Sequence, residues 1–162
     1  MKSVWIQNLT FKDVEDYLKI SDIVLLPSGA VEEHGIATPL GTDAFAAEAV
    51  AEDAAEKTGV LCAPLLWYGE SAHHMAFPGT ISLHPETLIN VTRDICRSLA
   101  KHGFKKIIVV NGNRSANLAA LTIALKTLHE YELTNVHFAI VDPMKIAKGF
   151  AKSNQTTPEL HG

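Results

Sequence analysis

The chain has 162 residues, of which 47% are hydrophobic, and a formal net charge of −4. This length predicts one domain over residues 1–162, and the mild charge without a basic run disfavours a nucleic-acid partner. No apolar run is long enough to cross a membrane, and the first residues lack the continuous apolar segment of a secretory signal. The isolated Cys62 and Cys96 do not indicate a disulfide framework, which favours a reducing, cytoplasmic location.

Continuous apolar runs alternate with helix-like segments along the chain. The predicted strands are residues 22–27, 60–65, 105–110 and 136–141. The first predicted helix begins after its N-cap, Thr10, and three more are predicted over residues 42–57, 85–102 and 115–131. Thr42 is the expected N-cap of the second helix, and Gly59 closes it. The third helix carries an apolar stripe at Leu88, Val91, Ile95 and Leu99. Residues 150–162 are expected to form a loop.

This alternation predicts the fold class. Strand–helix repeats with uninterrupted apolar strands are typical of an α/β fold with a mostly parallel sheet that helices cover on both faces. In such sheets, ligands bind beyond the carboxyl ends of the strands. Three polar loops that contain glycine leave predicted strands at that edge, over residues 28–43, 68–80 and 111–117. We therefore expect functional side chains to collect in these loops.

The first loop, GAVEEHGIATPLGTD, crowds acids and a histidine among glycines. Glu32 and His34 are two residues apart, so in an extended segment they point the same way while Glu33 faces elsewhere. Asp43 begins the next helix and reaches them if the loop folds back. Two carboxylates and an imidazole suit zinc, manganese or iron(II). Alternatively, Asp43 is only an acid in the first turn of a helix, where the helix dipole favours negative charge. His34 is then a turn residue, and Glu32 and Glu33 are solvated.

The second loop, GESAHHMAFPGT, contains two adjacent histidines. In an extended segment His73 and His74 point in opposite directions, so at most one of them would face a common site. Apolar neighbours suit the wall of a pocket, and His74 is the better candidate for binding substrate. The alternative is a structural turn over 77–79 with both histidines on the surface.

The third loop, NGNRSAN, enters the N-terminus of a helix, where backbone N–H groups favour an anion. Arg114 and Asn113 are candidate substrate-binding residues, because a guanidinium forms charge-assisted hydrogen bonds with carboxylate or phosphate. Alternatively, Arg114 is an exposed residue on a turn. A Walker-type phosphate loop is excluded, because no lysine follows the glycine at the required place.

Three motifs in this order resemble the creatininase (creatinine amidohydrolase) family. They are LPSGAVEEHGIATPLGTD, GESAHHMAFPGTISL and IIVVNGNRSAN, and the resemblance runs from about Leu25 to Gly162. It implies a three-layer α/β sandwich, frequent oligomers, and metal-dependent hydrolysis of amide-type bonds in small rings or formamides. The group also includes a ring-opening hydrolase of an inositol-derived ketone.

The resemblance also implies roles for individual residues. Glu32, His34 and Asp43 match the family's metal-ligand positions, with Asp43 as the bridging ligand where two metals bind. His161 resembles the family's catalytic histidine, and Glu159, in the same sequence ELHG, is predicted to be catalytic with it. One or two divalent ions, zinc, manganese or iron, are the implied cofactor.

Two features depart from the family pattern. The family's third loop reads NGHGGN or NGHxEN, but here Asn113 replaces the ligating histidine and Ser115 replaces the extra acid. An amide is a poor zinc ligand compared with imidazole. Family members also continue past Gly162, through a glutamate that often binds metal. We therefore expect the chain to lack the family's C-terminal part, as a shortened chain, a processed chain, or a split protein whose second subunit supplies the rest.

These features predict a metal-dependent hydrolase of a small-molecule amide, formamide or cyclic C–N carbonyl compound. His161 is expected to donate a proton to the leaving nitrogen, and His74 and Arg114 to orient the substrate. The expected partners are a small-molecule substrate and further copies of the chain, or a second chain that completes the fold. One alternative is a degenerate, non-catalytic subunit of an active partner, and another is a ring-opening hydrolase of a cyclic ketone sugar derivative.

Overall fold

The computed structural model describes residues 2–114 and 116–146. Its strands are β1 (Ile23–Ser28), β2 (Leu61–Cys62), β3 (Lys106–Asn111) and β4 (His137–Val141). Its α-helices are α1 (Phe11–Leu18), α2 (Thr42–Thr58), α3 (Pro85–His102) and α4 (Ala116–Tyr131), with 3-10 turns at Ile6–Asn8 and Ala72–His74. The four strands form one sheet in the order β2-β1-β3-β4, and every pair is parallel. The predicted α/β fold with a parallel sheet is confirmed.

Helices cover both faces of the sheet because successive residues of a strand point to opposite sides. Val24 and Leu26 of β1 pack in the larger core, together with residues of α1, α3 and α4. Leu25, between them, packs in the smaller core against Ala51 and Ala55 of α2. The result is the three-layer arrangement that the family resemblance implies.

Most helix ends lie where local sequence signals place them. The Thr10 hydroxyl accepts a hydrogen bond from the Asp13 amide, and the Asp13 carboxylate accepts one from the Thr10 amide, which is a capping box. Gly59 ends α2 with a φ of 72°, in the left-handed region that favours glycine. The N-cap of α2 differs from the prediction. Gly41 holds that position, and Thr42 is the first helical residue, because its hydroxyl donates to the Pro39 carbonyl instead of capping the helix.

Two further predictions need correction. The strand expected over 60–65 is only Leu61–Cys62. The Ala63 amide still donates to Leu25 of β1, but the next amide that does so is that of Leu66, to Pro27, so an extra residue interrupts the regular ladder. The buried line of α3 also differs from the expected apolar stripe. Its buried residues are Leu88, Thr92, Cys96 and Ala100. Cys96 and Ala100 of that line lie in the larger core, and Ile95 and Leu99 pack at its border.

The strand register sets up one functional edge. Ser28 at the end of β1 pairs with Asn111 at the end of β3, so the loops after these strands leave the sheet side by side. Leu66, after β2, donates its amide to the Pro27 carbonyl and brings the second loop to the same edge. Within the described residues, none of the helices combines the length and apolar character needed to cross a membrane. The predicted catalytic residues Glu159 and His161, and the predicted tail loop, lie outside the described residues.

Candidate metal centre

Three loops meet at the carboxyl edge of the sheet, and glycines permit their close contact. We call them the first loop (29–41), the second loop (63–84) and the third loop (112–114). A Cβ atom on Gly112 would lie 2.0 Å from the Asp43 carbonyl oxygen, and one on Gly29 would lie 2.3 Å from the Ala44 Cα. Any side chain at these two positions would therefore separate the third loop, β1 and the start of α2.

The first loop folds back on itself, as the metal-site prediction requires. The Glu32 amide donates to the Leu40 carbonyl at 2.9 Å, which returns the chain to the start of α2. As a result, His34 Nε2 lies 3.0 Å from Asp43 Oδ1. One ligand atom from each of Glu32, His34 and Asp43 lies within 4.8 Å of the other two. The structure thus brings together the three residues that the sequence singles out as metal ligands.

The hydrogen bonds of His34 suit a metal ligand. Its Nδ1 lies 3.1 Å from the Glu32 carbonyl oxygen, which can only accept, so Nδ1 carries the hydrogen. The lone pair of Nε2 in the neutral ring then faces Asp43 Oδ1, another acceptor, at 3.0 Å. Two acceptors attract each other only through a proton or a cation that they share. Metal-binding histidines characteristically donate their second nitrogen to such a carbonyl, so this pair fits a divalent ion.

The pKa shifts agree with this crowding of acceptors. Burial lowers the pKa of His34, but the Glu32 carbonyl and the Asp43 carboxylate outweigh burial, and the net shift of the pKa is upward. Burial also raises the pKa of Asp43, and the nearby Glu32 charge adds to that rise against the opposing effect of His34. Both groups therefore retain protons more strongly than in water when no cation is bound, and a metal must displace them.

Glu32 is held by hydrogen bonds from the other two loops. Its side chain is largely buried, and Oε2 accepts from Ser71 Oγ at 2.6 Å and from Asn113 Nδ2 at 2.9 Å. Asn113 is also buried, and its Oδ1 accepts from the Ala116 amide at 3.2 Å, at the start of α4. Both ends of the Asn113 amide are therefore occupied, one by Glu32 and the other by the helix.

The two histidines of the second loop lie together, which corrects the expectation that they diverge. They occupy a 3-10 turn instead of an extended segment, and their ring centroids are 4.0 Å apart. His74 Nε2 lies 3.9 Å from Glu32 Oε1, and His74 Nδ1 lies 3.3 Å from Glu33 Oε1. Glu33 therefore also turns towards this site, contrary to the prediction. One ligand atom from each of Glu32, His73 and His74 lies within 4.8 Å of the other two.

The remaining predicted residue of the third loop lies at the border of the site. Arg114 is exposed, and its Nε is 3.2 Å from Asp142 Oδ2, just after β4. This ion pair links the third loop to the end of the neighbouring strand.

Two residues that build the site were missed from the sequence. Ser71 donates to Glu32, as described above, and Asn117 connects two loops. Asn117 is fully buried, donates from Nδ2 to the Gly29 carbonyl at 2.8 Å, and accepts at Oδ1 from the Glu70 amide at 2.9 Å. Both residues lie inside the polar motifs GESAHH and NGNRSAN, and that location was the available signal.

The sequence matches a family model and several curated proteins. The creatinine amidohydrolase family model, Creatininase, matches residues 7–162. The chain is 32% identical to the creatinine amidohydrolase of Pseudomonas putida over 167 residues, which cover 98% of this chain and 64% of that protein. It is 35% identical over 111 residues to the 3-dehydro-scyllo-inosose hydrolase of Thermotoga maritima, covering 68% of this chain and 36% of that protein. The mycofactocin precursor peptide peptidase of Mycolicibacterium smegmatis is 37% identical over 112 residues, covering 65% of this chain and 44% of that protein.

Solved structures show the same likeness. A mutant creatininase of the Zn-Zn type superposes with a TM-score of 0.86 at 31% identity, covering 99% of this chain and 66% of that one. A manganese creatininase gives the same TM-score of 0.86 at 30% identity, covering 98% of this chain and 65% of that one. The chain therefore spans about two thirds of the length of these structures. It spans 64% of the Pseudomonas putida protein and less than half of the other two curated relatives.

Proposed function

This chain belongs to the creatininase family, and from that premise we propose that it is a metal-dependent hydrolase of a small-molecule amide, formamide or cyclic C–N carbonyl compound. The observation that carries the proposal is the convergence of Glu32, His34 and Asp43, with the His34 Nε2 lone pair facing a carboxylate at 3.0 Å. That arrangement supports a cation site, because an imidazole nitrogen and two carboxylates can bind the same ion.

Glu32, His34 and Asp43 would hold the ion, and zinc and manganese are the first candidates because related structures contain them. When bound, a divalent cation lowers the pKa of water and polarises a carbonyl group. The hydrogen bonds from Ser71 and Asn113 keep the Glu32 carboxylate in a fixed orientation. Such supporting contacts tune a metal site nearly as strongly as the ligands themselves.

The remaining predicted roles belong to this proposal as well. We propose that His161, beside Glu159, protonates the leaving nitrogen, and both residues lie outside the described part of the chain. Of the three residues predicted to contact substrate, Asn113 and Arg114 already have protein partners. His74 also has a partner, Glu33, but it is partly exposed beside Glu32, where a substrate can reach it.

The substrate class rests on the relatives, which act on different compounds. Their names indicate a creatinine ring, an inosose and a precursor peptide. The altered motif NGNRSAN, with Asn113 and Ser115, favours a substrate other than creatinine. The ring-opening of a cyclic ketone remains the alternative reaction, and a peptide bond is a further possibility to include in a substrate screen.

Asp43→Ala tests the proposal. The purified protein is supplied with Zn²⁺ or Mn²⁺, exchanged into metal-free buffer, and analysed for bound metal. It is then assayed with small lactams, formamides, cyclic ketones and a short peptide. We expect bound metal and hydrolysis in the unchanged protein, and loss of hydrolysis with a reduced metal content in Asp43→Ala.

Asp53→Ala is the matched control, because Asp53 lies on the same helix but is exposed and forms an ion pair with Lys57, away from the three proposed ligands. It should retain both properties. Absence of stoichiometric metal in the unchanged protein, including after mixing with any chain that copurifies, would favour the non-catalytic subunit instead.

We also propose a homo-oligomer in the cytoplasm. Phe45 and Met75 expose 50% and 56% of their surface near the loop edge, which supports burial against another subunit. Cys62 and Cys96 are both free and buried, and burial raises the pKa of each thiol to about 12, consistent with a structural role in a reducing compartment. Light scattering combined with intact mass measures the assembly and reveals a second chain if one completes it.

A further inference from the structure

The third loop carries a single arginine at the functional edge of the sheet. The three loops contain no lysine, and Arg114 is their only arginine, whereas Glu32, Glu33 and Glu70 lie in the first and second loops. We propose that Arg114 binds a carboxylate group of the substrate, which makes the substrate an anionic compound. This inference rests on the proposed function, because it names the substrate class of the same centre.

Asp142 holds Arg114 from one side. Arg114 Nε lies 3.2 Å from Asp142 Oδ2, and the Asp142 side chain is only 14% exposed. Asp142 Oδ1 accepts a hydrogen bond from the Lys145 amide at 3.0 Å, so the carboxylate is itself fixed. The Arg114 side chain is 51% exposed, and none of residues 2–114 and 116–146 accepts a hydrogen bond from its terminal nitrogens Nη1 and Nη2. Those two nitrogens can therefore bind a group from solvent.

The other two arginines of the chain are used differently. Arg97 donates from Nε and Nη2 to Glu132 and from Nη1 to Asp94. Arg93 contacts the same Glu132 carboxylate through its Nη2. Both guanidinium groups thus find carboxylates within the protein. A guanidinium binds a planar carboxylate through two parallel N–H donors, and Arg114 has such donors available at the loop edge.

The position of Arg114 fits a substrate that reaches the metal centre. Its neighbour Asn113 donates to Glu32 Oε2, a proposed ligand atom, so the third loop joins the two places. Asp142 directly follows β4, which is separated from β1 by β3 alone. Because neighbouring strands lie about 4.8 Å apart, the end of β4 is roughly 10 Å from the end of β1. The substrate's carboxylate is therefore expected several bonds away from the bond that is cleaved.

The charges of the edge give the substrate one orientation. Glu32, Glu33 and Asp43 carry three negative charges when ionised, one more than a divalent cation neutralises, and their charged partners among the described residues are histidines. A carboxylate is repelled by this cluster and attracted by Arg114. The substrate therefore binds with its carboxylate near the end of β4 and its neutral carbonyl group at the metal centre.

Hydroxamates of matched length test the inference without an assay of hydrolysis. The hydroxamate of adipic monohydroxamic acid binds Zn²⁺ and leaves a carboxylate at the other end of a short chain, while its methyl ester lacks that charge. The purified protein, with any chain that copurifies, is saturated with Zn²⁺ and titrated with each compound by calorimetry. We expect the acid to bind roughly 10-fold more tightly than the ester, as one charge-assisted contact provides.

Variants of Arg114 show whether this residue causes the preference. Arg114→Gln should remove it and leave the affinity for the ester unchanged. Arg114→Lys keeps the charge without the planar fork, so it should retain only part of the preference. Lys101→Gln is the control, because Lys101 is an exposed residue in the last turn of α3 and its replacement changes the net charge equally. It should keep the full preference, and circular dichroism checks that each variant is folded.

Chain length separates a direct contact from general attraction. Succinic, adipic and suberic monohydroxamic acids, each compared with its methyl ester, place the carboxylate at increasing distance from the hydroxamate. The preference should depend on this length, because Arg114 is held at a fixed place by Asp142. A preference of equal size at all three lengths, or one that Lys101→Gln loses as well, would overturn the contact.

The outcomes also separate the two proposals. If both compounds bind and the acid has no advantage at any length, or if Arg114→Gln keeps that advantage, the inference is overturned and the proposed hydrolase stands. If neither compound binds to the protein supplied with Zn²⁺, the proposed metal centre fails and the inference fails with it.

Discussion

Two charged clusters in this protein have opposite character. On the helical side, Arg93 and Arg97 of α3 both contact Glu132, which follows α4. At the loop edge, Glu32, Glu33 and Asp43 lie among histidines. The first cluster pairs each charge with its opposite, whereas the second brings acceptors face to face.

The pKa values express the same contrast. Hydrogen bonds from Arg97 and then Arg93 lower the pKa of Glu132 to about 2, because they stabilise its charged form. At the loop edge, burial and neighbouring charge raise the pKa of Asp43. In the cluster of Glu132, the two arginines neutralise the carboxylate. At the loop edge the ionisation of Asp43 is disfavoured, and a bound cation would favour it, as is common at functional sites. The difference distinguishes a structural contact from a functional one.

The largest expected effect is on zinc affinity, and it distinguishes the same Glu→Gln substitution made in each of the two clusters. In Glu32→Gln, the amide oxygen can still accept from Ser71 and Asn113, so the fold should persist while the anionic ligand is lost. We expect zinc affinity to fall more than about 100-fold, because about 100-fold is the upper end of the range for residues that only support a ligand. Glu132→Gln should leave zinc affinity unchanged, and competition with a chelator measures both. Equal zinc affinities in the two variants would contradict the assignment of the loop-edge cluster as the metal site.

An intermediate effect is expected when the support of Glu32 is removed. Ser71→Ala deletes the donor to Glu32 Oε2 but leaves every proposed ligand in place. Zinc affinity should fall about 10-fold, within the range of about 10–100-fold for such contacts. Ser98→Ala, an exposed serine whose hydroxyl donates to the Asp94 carbonyl within α3, is the control. If Ser71→Ala binds zinc as tightly as Ser98→Ala does, the hydrogen bond does not orient the ligand.

The smallest effect is expected from acid titration of the helical cluster. The pKa of Glu132 is about 2 in the folded protein and near 4.5 in the unfolded chain, so its contribution to stability is present above about pH 4.5. That contribution falls as the pH decreases through the folded pKa of about 2. Because the group is exposed, the effect should be small and should weaken with salt.

Thermal unfolding from pH 7 to pH 2 measures this effect. The difference in Tm between the unchanged protein and Glu132→Gln should be greatest near neutral pH and should shrink in acid. A difference that grows as the pH falls would show that the arginines do not stabilise the ionised form of Glu132.

Much of the fold was predictable because its signals are local. The apolar run Ile107–Val110 predicts a buried strand, and Thr10 and Gly59 mark a helix start and a helix end by their own backbone and side-chain chemistry. The creatininase resemblance and the parallel sheet were both predicted and are confirmed. Two of the predictions that failed, the length of β2 and the buried line of α3, depend on what each segment packs against.

The sequence alone determined the order of strands and helices and drew attention to Glu32, His34 and Asp43 as possible ligands. Only the tertiary structure decided that His73 and His74 lie together, and that Ser71, Asn113 and Asn117 join the loops. These contacts link residues 39, 81 and 88 positions apart, between Ser71 and Glu32, Asn113 and Glu32, and Asn117 and Gly29. Local conformational preference cannot set such distances, because they arise from the register of the parallel strands and from how closely glycines let the loops approach.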